Sequence, residues 1–206
     1  MARRISISLP WDPRDAPALL DRARAADEVG IDTIWVNEGF GHDAFSGLTL
    51  LAWETSRVRL GSAIVNVYSR TPGALAQHFA TLDQLSEGRI VAGLGTSGAG
   101  VVERFHGMPY QPAIQRLRET IELLRSFWRH ERVTHHGQWY DIERALVMGV
   151  DPIQIELPIH LATLHPRSVR LTAELADGWL PAWIPFERLA GAIEELRGWS
   201  VAAGRP

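Results

Sequence analysis

Four short stretches of the 206-residue chain hold the side chains best able to do chemistry. "WVNEGFGHDAF" (Trp35 to Phe45) contains Glu38, a carboxylate able to orient a substrate or shuttle a proton, with His42 and Asp43 close behind it. "GTSGAG" (Gly95 to Gly100) offers backbone N–H groups and the hydroxyls of Thr96 and Ser97 to an anion, although such Gly-rich runs also occur in ordinary loops. "FHGMPY" supplies His106, read either as a proton donor or acceptor in a pocket or as a histidine packing a loop. In "TLHPRS" (Thr163 to Ser168), a hydroxyl, the amides of a helix N-terminus around Leu164 and His165, and Arg167 together suit a phosphate; a capped helix with Pro166 at its first position explains the same letters without a ligand.

Composition removes other chemistries. The chain has no Cys, which excludes disulfides, thiolate nucleophiles and Cys-ligated metals. All 21 basic residues are Arg, which excludes Lys Schiff bases. His135-His136 lacks a third ligand at metal spacing, so it reads as a solvated turn and no metal site is expected. A formal net charge of −3 offers no basic surface to release counterions, so nucleic acid is not an expected partner. The apolar run of "MARRISISLPWDP" stops at Pro10, too short for a signal peptide, and no window approaches the roughly 18 apolar residues of a membrane span. A cytoplasmic protein without a membrane partner is the expectation.

The elements that must position these residues alternate between short Ile/Val-rich runs and longer helical patterns, as repeated βα units of a parallel sheet do. Strands are predicted at Ile5–Leu9, Thr33–Val36, Val58–Val65, Arg89–Gly95, Ile159–Leu164 and Gly178–Leu180. Helices are predicted at about Pro17–Val29, Phe45–Thr55, Pro72 to Gly88, Pro112–Arg129, Pro166–Ala176 and Glu187–Ala203. In the fourth helix Ile114, Leu117, Ile121 and Leu124 are assigned inward, and Arg116, Arg118, Glu122 and Arg125 outward. Residues 135–157 mix Pro, Gly and polar positions without helical period, so an excursion containing a hairpin is placed there. Trp179 and Trp183 fall near the sixth strand's end, where they could wall a pocket, although core and rim packing explains them more simply. The fold class is α/β of the (β/α)₈ TIM-barrel type with about six of eight units present, because the turn after the first strand, Pro10-Trp11-Asp12-Pro13, lacks the Gly-rich loop of a doubly wound sheet.

One feature resists the simple reading: Gly61, Ser62 and Asn66 interrupt the third strand in "RLGSAIVNVYSRTP". That run, continued through "GALAQHFATLDQLSEGRIVAGLGTSG", together with "WVNEGFGHDAF", "VVERFHGMPY" and "ELADGW", resembles the luciferase-like monooxygenase superfamily, specifically its coenzyme F420-dependent branch. The resemblance spans the chain from its second strand to its sixth, in family order. It implies a single barrel domain over residues 1–206, lacking the last two βα units, that binds a tricyclic cofactor at the C-terminal mouth of its strands. It further implies a bulged third strand with a non-prolyl cis peptide at Ala63-Ile64 behind the ring. Asn66 would stand beside the ring edge, and Thr96, Ser97, Gly98, Thr163, Leu164 and His165 would contact the cofactor. Glu38, His42 and His106 are the catalytic candidates. The position after Glu38, often His in relatives that oxidise sugar phosphates, is Gly39 here, which points to another substrate.

The implied activity is an oxidoreductase passing hydride between the deazaflavin F420 and a small organic substrate, acting as a homodimer. One alternative is an FMN-dependent monooxygenase fed by a partner reductase. The other is a truncated or degenerate barrel without catalysis that binds a flavin or assembles with a partner, because six units leave two sheet edges unpaired.

Overall fold

A computed structural model describes residues 4–111 and 113–205. The parallel strands are β1 (Ser6–Ser8), β2 (Thr33–Val36), β3 (Arg59–Ser62), β4 (Val65–Asn66), β5 (Ile90–Gly95), β8 (Ile159–Ala162) and β9 (Gly178–Trp179). A short antiparallel hairpin, β6 (His135–His136) and β7 (Asp141–Ile142), stands apart from them. The helices are α1 (Ala16–Glu28), α2 (Ala44–Glu54), α3 (Pro72–Leu85), α4 (Ala99–Arg104), α5 (Ala113–Trp128), α6 (Pro166–Leu175) and α7 (Phe186–Ala202).

Strand order in the sheet is β1-β2-β3-β5-β8-β9, with β4 also on β5, so neighbours follow chain order without reversal. A doubly wound sheet reverses at a switch point; a sheet that only advances curls toward a barrel. Six parallel strand positions make a half-barrel of the TIM type, with β3 and β4 sharing one of them.

Local chemistry sets the helix boundaries. Asp43 caps α2 by accepting from Ser46 N at 2.9 Å, and Thr71 caps α3 through Ala74 N at 3.3 Å, with Pro72 pre-set at the first helical position. After α1 the chain reverses at Gly30, whose φ of +80° suits glycine. The outward sheet face and the inward helix faces supply the core: Leu19, Ile34, Leu48, Leu60, Leu75, Phe79, Ile90, Leu117 and Ile121 are all buried. Burying each such side chain stabilises the fold by about 1.5–3 kcal/mol.

Register identifies the opposite, inner face. Trp35 pairs with Gly61, Gly61 with Val91, Gly93 with His160, and His160 with Gly178. The Trp35 and His160 rings lie 5.5 Å apart across this face. Glycine is required beneath them, because a Cβ at Gly61 would strike the Trp35 ring and one at Gly178 would come within 2.5 Å of the His160 ring.

Three sequence expectations are corrected here. Arg116 is buried rather than outward, with its Nε donating to Val67 O at 3.1 Å, while Ile114 is partly exposed. A short helix, α4, occupies part of the loop after β5. The third strand does not run unbroken to Val65. Pro112, the expected start of the fourth helix, lies outside the described residues. No helix among the described residues is long and apolar enough to cross a membrane.

Candidate active site at the barrel mouth

The polar letters of the third strand form a bulge. Between the pairs Gly61↔Val91 and Val65↔Leu94, residues 62–64 oppose only residues 92 and 93, so one extra residue bends the strand. Ser62 fills the gap: its hydroxyl donates to Gly93 O at 2.7 Å and accepts from Gly93 N at 3.1 Å. The Ser62 carbonyl leans over Gly93 so closely that a Cβ at residue 93 would collide with it. The Ala63-Ile64 bond is cis. β4 then rejoins β5 with Asn66 level with Gly95, which is itself level with Ala162.

Asn66 and His106, 40 residues apart in sequence, meet at this level. Asn66 is buried to 3% exposure, and its Oδ1 accepts from Tyr68 N at 3.0 Å and Ser69 N at 2.8 Å. Those two donors fix the amide's orientation and turn Nδ2 toward His106 Nε2 at 3.2 Å. An amide nitrogen can only donate, so His106 Nε2 accepts and its neutral ring carries the proton on Nδ1. Asn66 therefore forms the turn, as the simpler reading held, and its amide also meets His106.

Glu38 has a different setting. Both oxygens are engaged by Arg70, at 2.7 and 3.0 Å, and Oε2 also accepts from Ala44 N at 3.0 Å. Its side chain is only 7% exposed. A carboxylate so clamped holds the β2–α2 loop to the loop after β4 and is not free to shuttle a proton. His42 lies apart from His106, beside Trp11 and 3.6 Å from an oxygen of Asp12.

The two loops read as phosphate cradles also divide. In the first, Ser97 adopts a left-handed φ of 55°, and its carbonyl accepts from the Tyr110 hydroxyl at 3.1 Å. Gly98 follows as the residue capping α4. In the second, the Thr163 hydroxyl is buried against Thr172 at 2.7 Å, and the Thr163 carbonyl accepts from Trp179 Nε1 at 2.9 Å. That hydroxyl serves packing, contrary to expectation. Leu164 and His165 are exposed at the start of α6, and Leu164 edges a cleft of about 580 Å³ between α6 and α7 that Trp179, Trp183 and Trp199 also line. Among the described residues no group of three or more His, Cys, Asp or Glu is placed to hold a metal.

A buried cluster behind the rim escaped sequence reading. The Arg116 guanidinium lies over the rings of Tyr68, Trp139 and Tyr140, 4.5 to 5.5 Å from their centres. Burial pushes the Tyr68 phenol up to about 12, so it stays a donor, and it donates to Tyr110 O. One helical turn from Arg116, Glu119 accepts from the amides of Gln138, Trp139 and Tyr140 at 2.9 to 3.2 Å. Glu119 thereby ties the β6–β7 hairpin to α5. The only sequence signal was a charged pair on one helix at 116 and 119, which reads by default as solvent-facing.

The model of one family, luciferase-like monooxygenase, matches residues 4–206, and the chain belongs to that family. It is 37% identical over 196 residues to Rv3520c of Mycobacterium tuberculosis, a protein named as a coenzyme F420-dependent oxidoreductase; the match covers 90% of this chain and 56% of that protein. It is 34% identical over 176 residues to the F420-dependent glucose-6-phosphate dehydrogenase of Kineococcus radiotolerans, covering 79% of this chain and 51% of the relative. The coenzyme F420-dependent tetrahydromethanopterin reductase of Methanopyrus kandleri shares the fold at a TM-score of 0.88 and 23% identity, over 98% of this chain and 62% of that one. The chain thus spans about half the length of the curated relatives it matches.

Proposed function

We propose that this chain forms the cofactor-binding part of a coenzyme F420-dependent oxidoreductase acting on a small organic substrate. The observation that carries the reading is a low wall beside a polar pair: Gly95, covered by the Ile64 side chain, and Ala162 stand level with Asn66, which holds His106. A flat ring needs such a wall, and side chains larger than these would fill its space. Relatives at 34 to 37% identity that are named for the same cofactor support the choice of ring.

When bound, the deazaflavin would supply the two-electron hydride carrier. The chain's own residues bind, orient and manage protons around it. The Asn66 amide, held beside His106, and the loop around Ser97 and Gly98 would meet the ring's polar edge, above the Trp35 and His160 rings that lie 5.5 Å apart on the inner face of the sheet. His106, with its proton on Nδ1, is the group placed to give or take a proton. Glu38 acts through Arg70 as a positioning residue that fixes the loop after β4. Gly39 puts no imidazole beside Glu38, which favours a substrate other than a sugar phosphate.

Titration of the purified chain with oxidised F420, followed by quenching of its fluorescence and run in parallel with FMN, tests this. Saturable binding of F420 is expected. Ala162→Leu should weaken it at least about tenfold, equivalent to ~1.4 kcal/mol, by placing a branched side chain on the wall. No affinity for F420 in the folded wild-type chain overturns the reading, and preference for FMN replaces it with a monooxygenase fed by a reductase.

A further inference from the structure

Packing alone does not account for an arginine at position 116. The side chain lies on α5 in a residue only 6% exposed, and no carboxylate among the described residues is paired with it; Glu119, one turn along the helix, directs both oxygens to the hairpin. A buried guanidinium carries a desolvation cost that three aromatic faces and one carbonyl offset only in part, and an apolar side chain would fill the same space without it. What an apolar side chain lacks is the Nε–H, which donates to Val67 O at 3.1 Å. That carbonyl belongs to the peptide between Val67 and Tyr68, and the N–H of the same peptide donates to Asn66 Oδ1 at 3.0 Å. In a trans peptide the two groups share one rigid plane and point to opposite sides of it. Arg116 therefore grips one side of the plane and Asn66 the other, and a rotation that frees either bond breaks both.

We propose that Arg116 is a positioning residue that acts through the Val67–Tyr68 peptide: by holding that plane it orients the Asn66 amide, and Asn66 in turn holds His106 as the Nδ1–H tautomer. With the plane released, Ser69 N would be the one donor left on Asn66 Oδ1, and Nδ2 would no longer be directed at His106 Nε2. The same guanidinium lies 4.5 Å from the centre of the Tyr68 ring, whose hydroxyl donates to Tyr110 O, and the Tyr110 hydroxyl donates to Ser97 O at 3.1 Å. One cation behind the rim thus reaches the loops after β4 and after β5 together. The place of Arg116 in the chemistry rests on the reading of His106 given above, whereas its hold on the tautomer is a property of the chain without cofactor.

Nitrogen-15 NMR of the histidine rings in the cofactor-free chain, at about pH 8 where an ordinary histidine is neutral, reads the tautomer directly. His106, assigned by its loss in His106→Gln, should be the Nδ1–H form in the wild type. Two neutral substitutions separate the bond from the charge and the bulk. Arg116→Gln places an amide nitrogen where Nε stands and should keep the Nδ1–H form, whereas Arg116→Met fills similar space without a donor and should turn His106 into a mixture of tautomers. Both are compared at matching circular dichroism. A second measurement needs no variant to fold: in the wild type the Arg116 Nε–H should exchange with solvent about a hundredfold more slowly than that of an exposed arginine. A fast-exchanging Nε–H, a wild-type His106 without its Nδ1 proton, or a tautomer that changes equally or not at all in the two variants would each overturn the proposal. A failed F420 titration would remove the redox reading and leave these results as they stand.

Discussion

Replacing Glu119 by Gln isolates the link between α5 and the hairpin behind the site. The carboxylate is 1% exposed; Oε1 accepts from Gln138 N and the Gln115 amide, and Oε2 from Trp139 N and Tyr140 N, with His135 Nε2 at 3.3 Å. Glutamine keeps the shape but offers one oxygen and one NH₂. Whichever way it turns, at least one backbone N–H then faces another donor, and the bonds to the remaining oxygen lose their charge assistance. Hydrogen bonds to a charged group contribute about 1.5–3 kcal/mol each, so the loss should total roughly 3–5 kcal/mol. At about 2–4 °C per kcal/mol for a chain of this size, the melting temperature should fall by roughly 6–20 °C if the hairpin unfolds with the core. If it opens separately, amide exchange at residues 138–140 should accelerate about a hundredfold or more while the core stays protected. The acid limb gives a second reading. Burial pushes the Glu119 carboxyl up, but the Trp139 amide, Gln115, the Gln138 amide and His135 outweigh it and hold it below the usual 4.5. Its contribution is therefore complete above pH 4.5 and lost as pH falls through the depressed folded value, and this component should be absent in Glu119→Gln. Urea denaturation with hydrogen exchange is the assay, and a variant within 1 kcal/mol of wild type with unchanged exchange at all three amides would falsify the argument.

Two further outcomes rest on buried charge. Arg70→Ala leaves Glu38 unpaired at 7% exposure and should destabilise the chain by about 3–5 kcal/mol in chemical denaturation, with Arg70→Lys recovering only part, since a single ammonium cannot grip both oxygens. An unchanged midpoint would show the pair to be incidental. His160 is held below the ordinary 6.5, chiefly by burial and secondarily by the positive Arg59, and His78 is lowered by burial and Arg70. Below pH 6.5 the unfolded chain takes protons that the folded chain refuses, so stability should be greatest above 6.5 and decline as pH falls toward the folded values. Thermal melts at pH 8 and pH 5 should show the decline, and His160→Phe should reduce it; an equal decline in the variant would clear His160 of the effect.

How far the sequence determined this protein follows from the range of each interaction. The alternation of strand and helix and the excursion after α5 stand in the structure nearly as read, and the caps at Asp43 and Thr71 and the reversal at Gly30 that bound the helices are likewise local, set by side chains within a few residues of the backbone they organise. The Gly, Ser and Asn of the third strand marked an interruption, and the family resemblance, not local chemistry, implied the bulge there. What the letters could not give was the company each polar group keeps. Asn66 and His106 were separate candidates until folding set them 3.2 Å apart, while Thr163 was matched to Thr172 and Glu38 to Arg70, leaving neither free for the role its type suggested.

The buried carboxylates make the point most sharply. Asp27, Asp83 and Glu119 sit on helices, yet each is buried against backbone N–H groups of a segment 19 to 71 residues away in sequence. A carboxylate stays charged in the interior only where several N–H groups converge on it. Convergence of that kind is a property of the curved sheet and its packed loops, and no spacing along the chain encodes it.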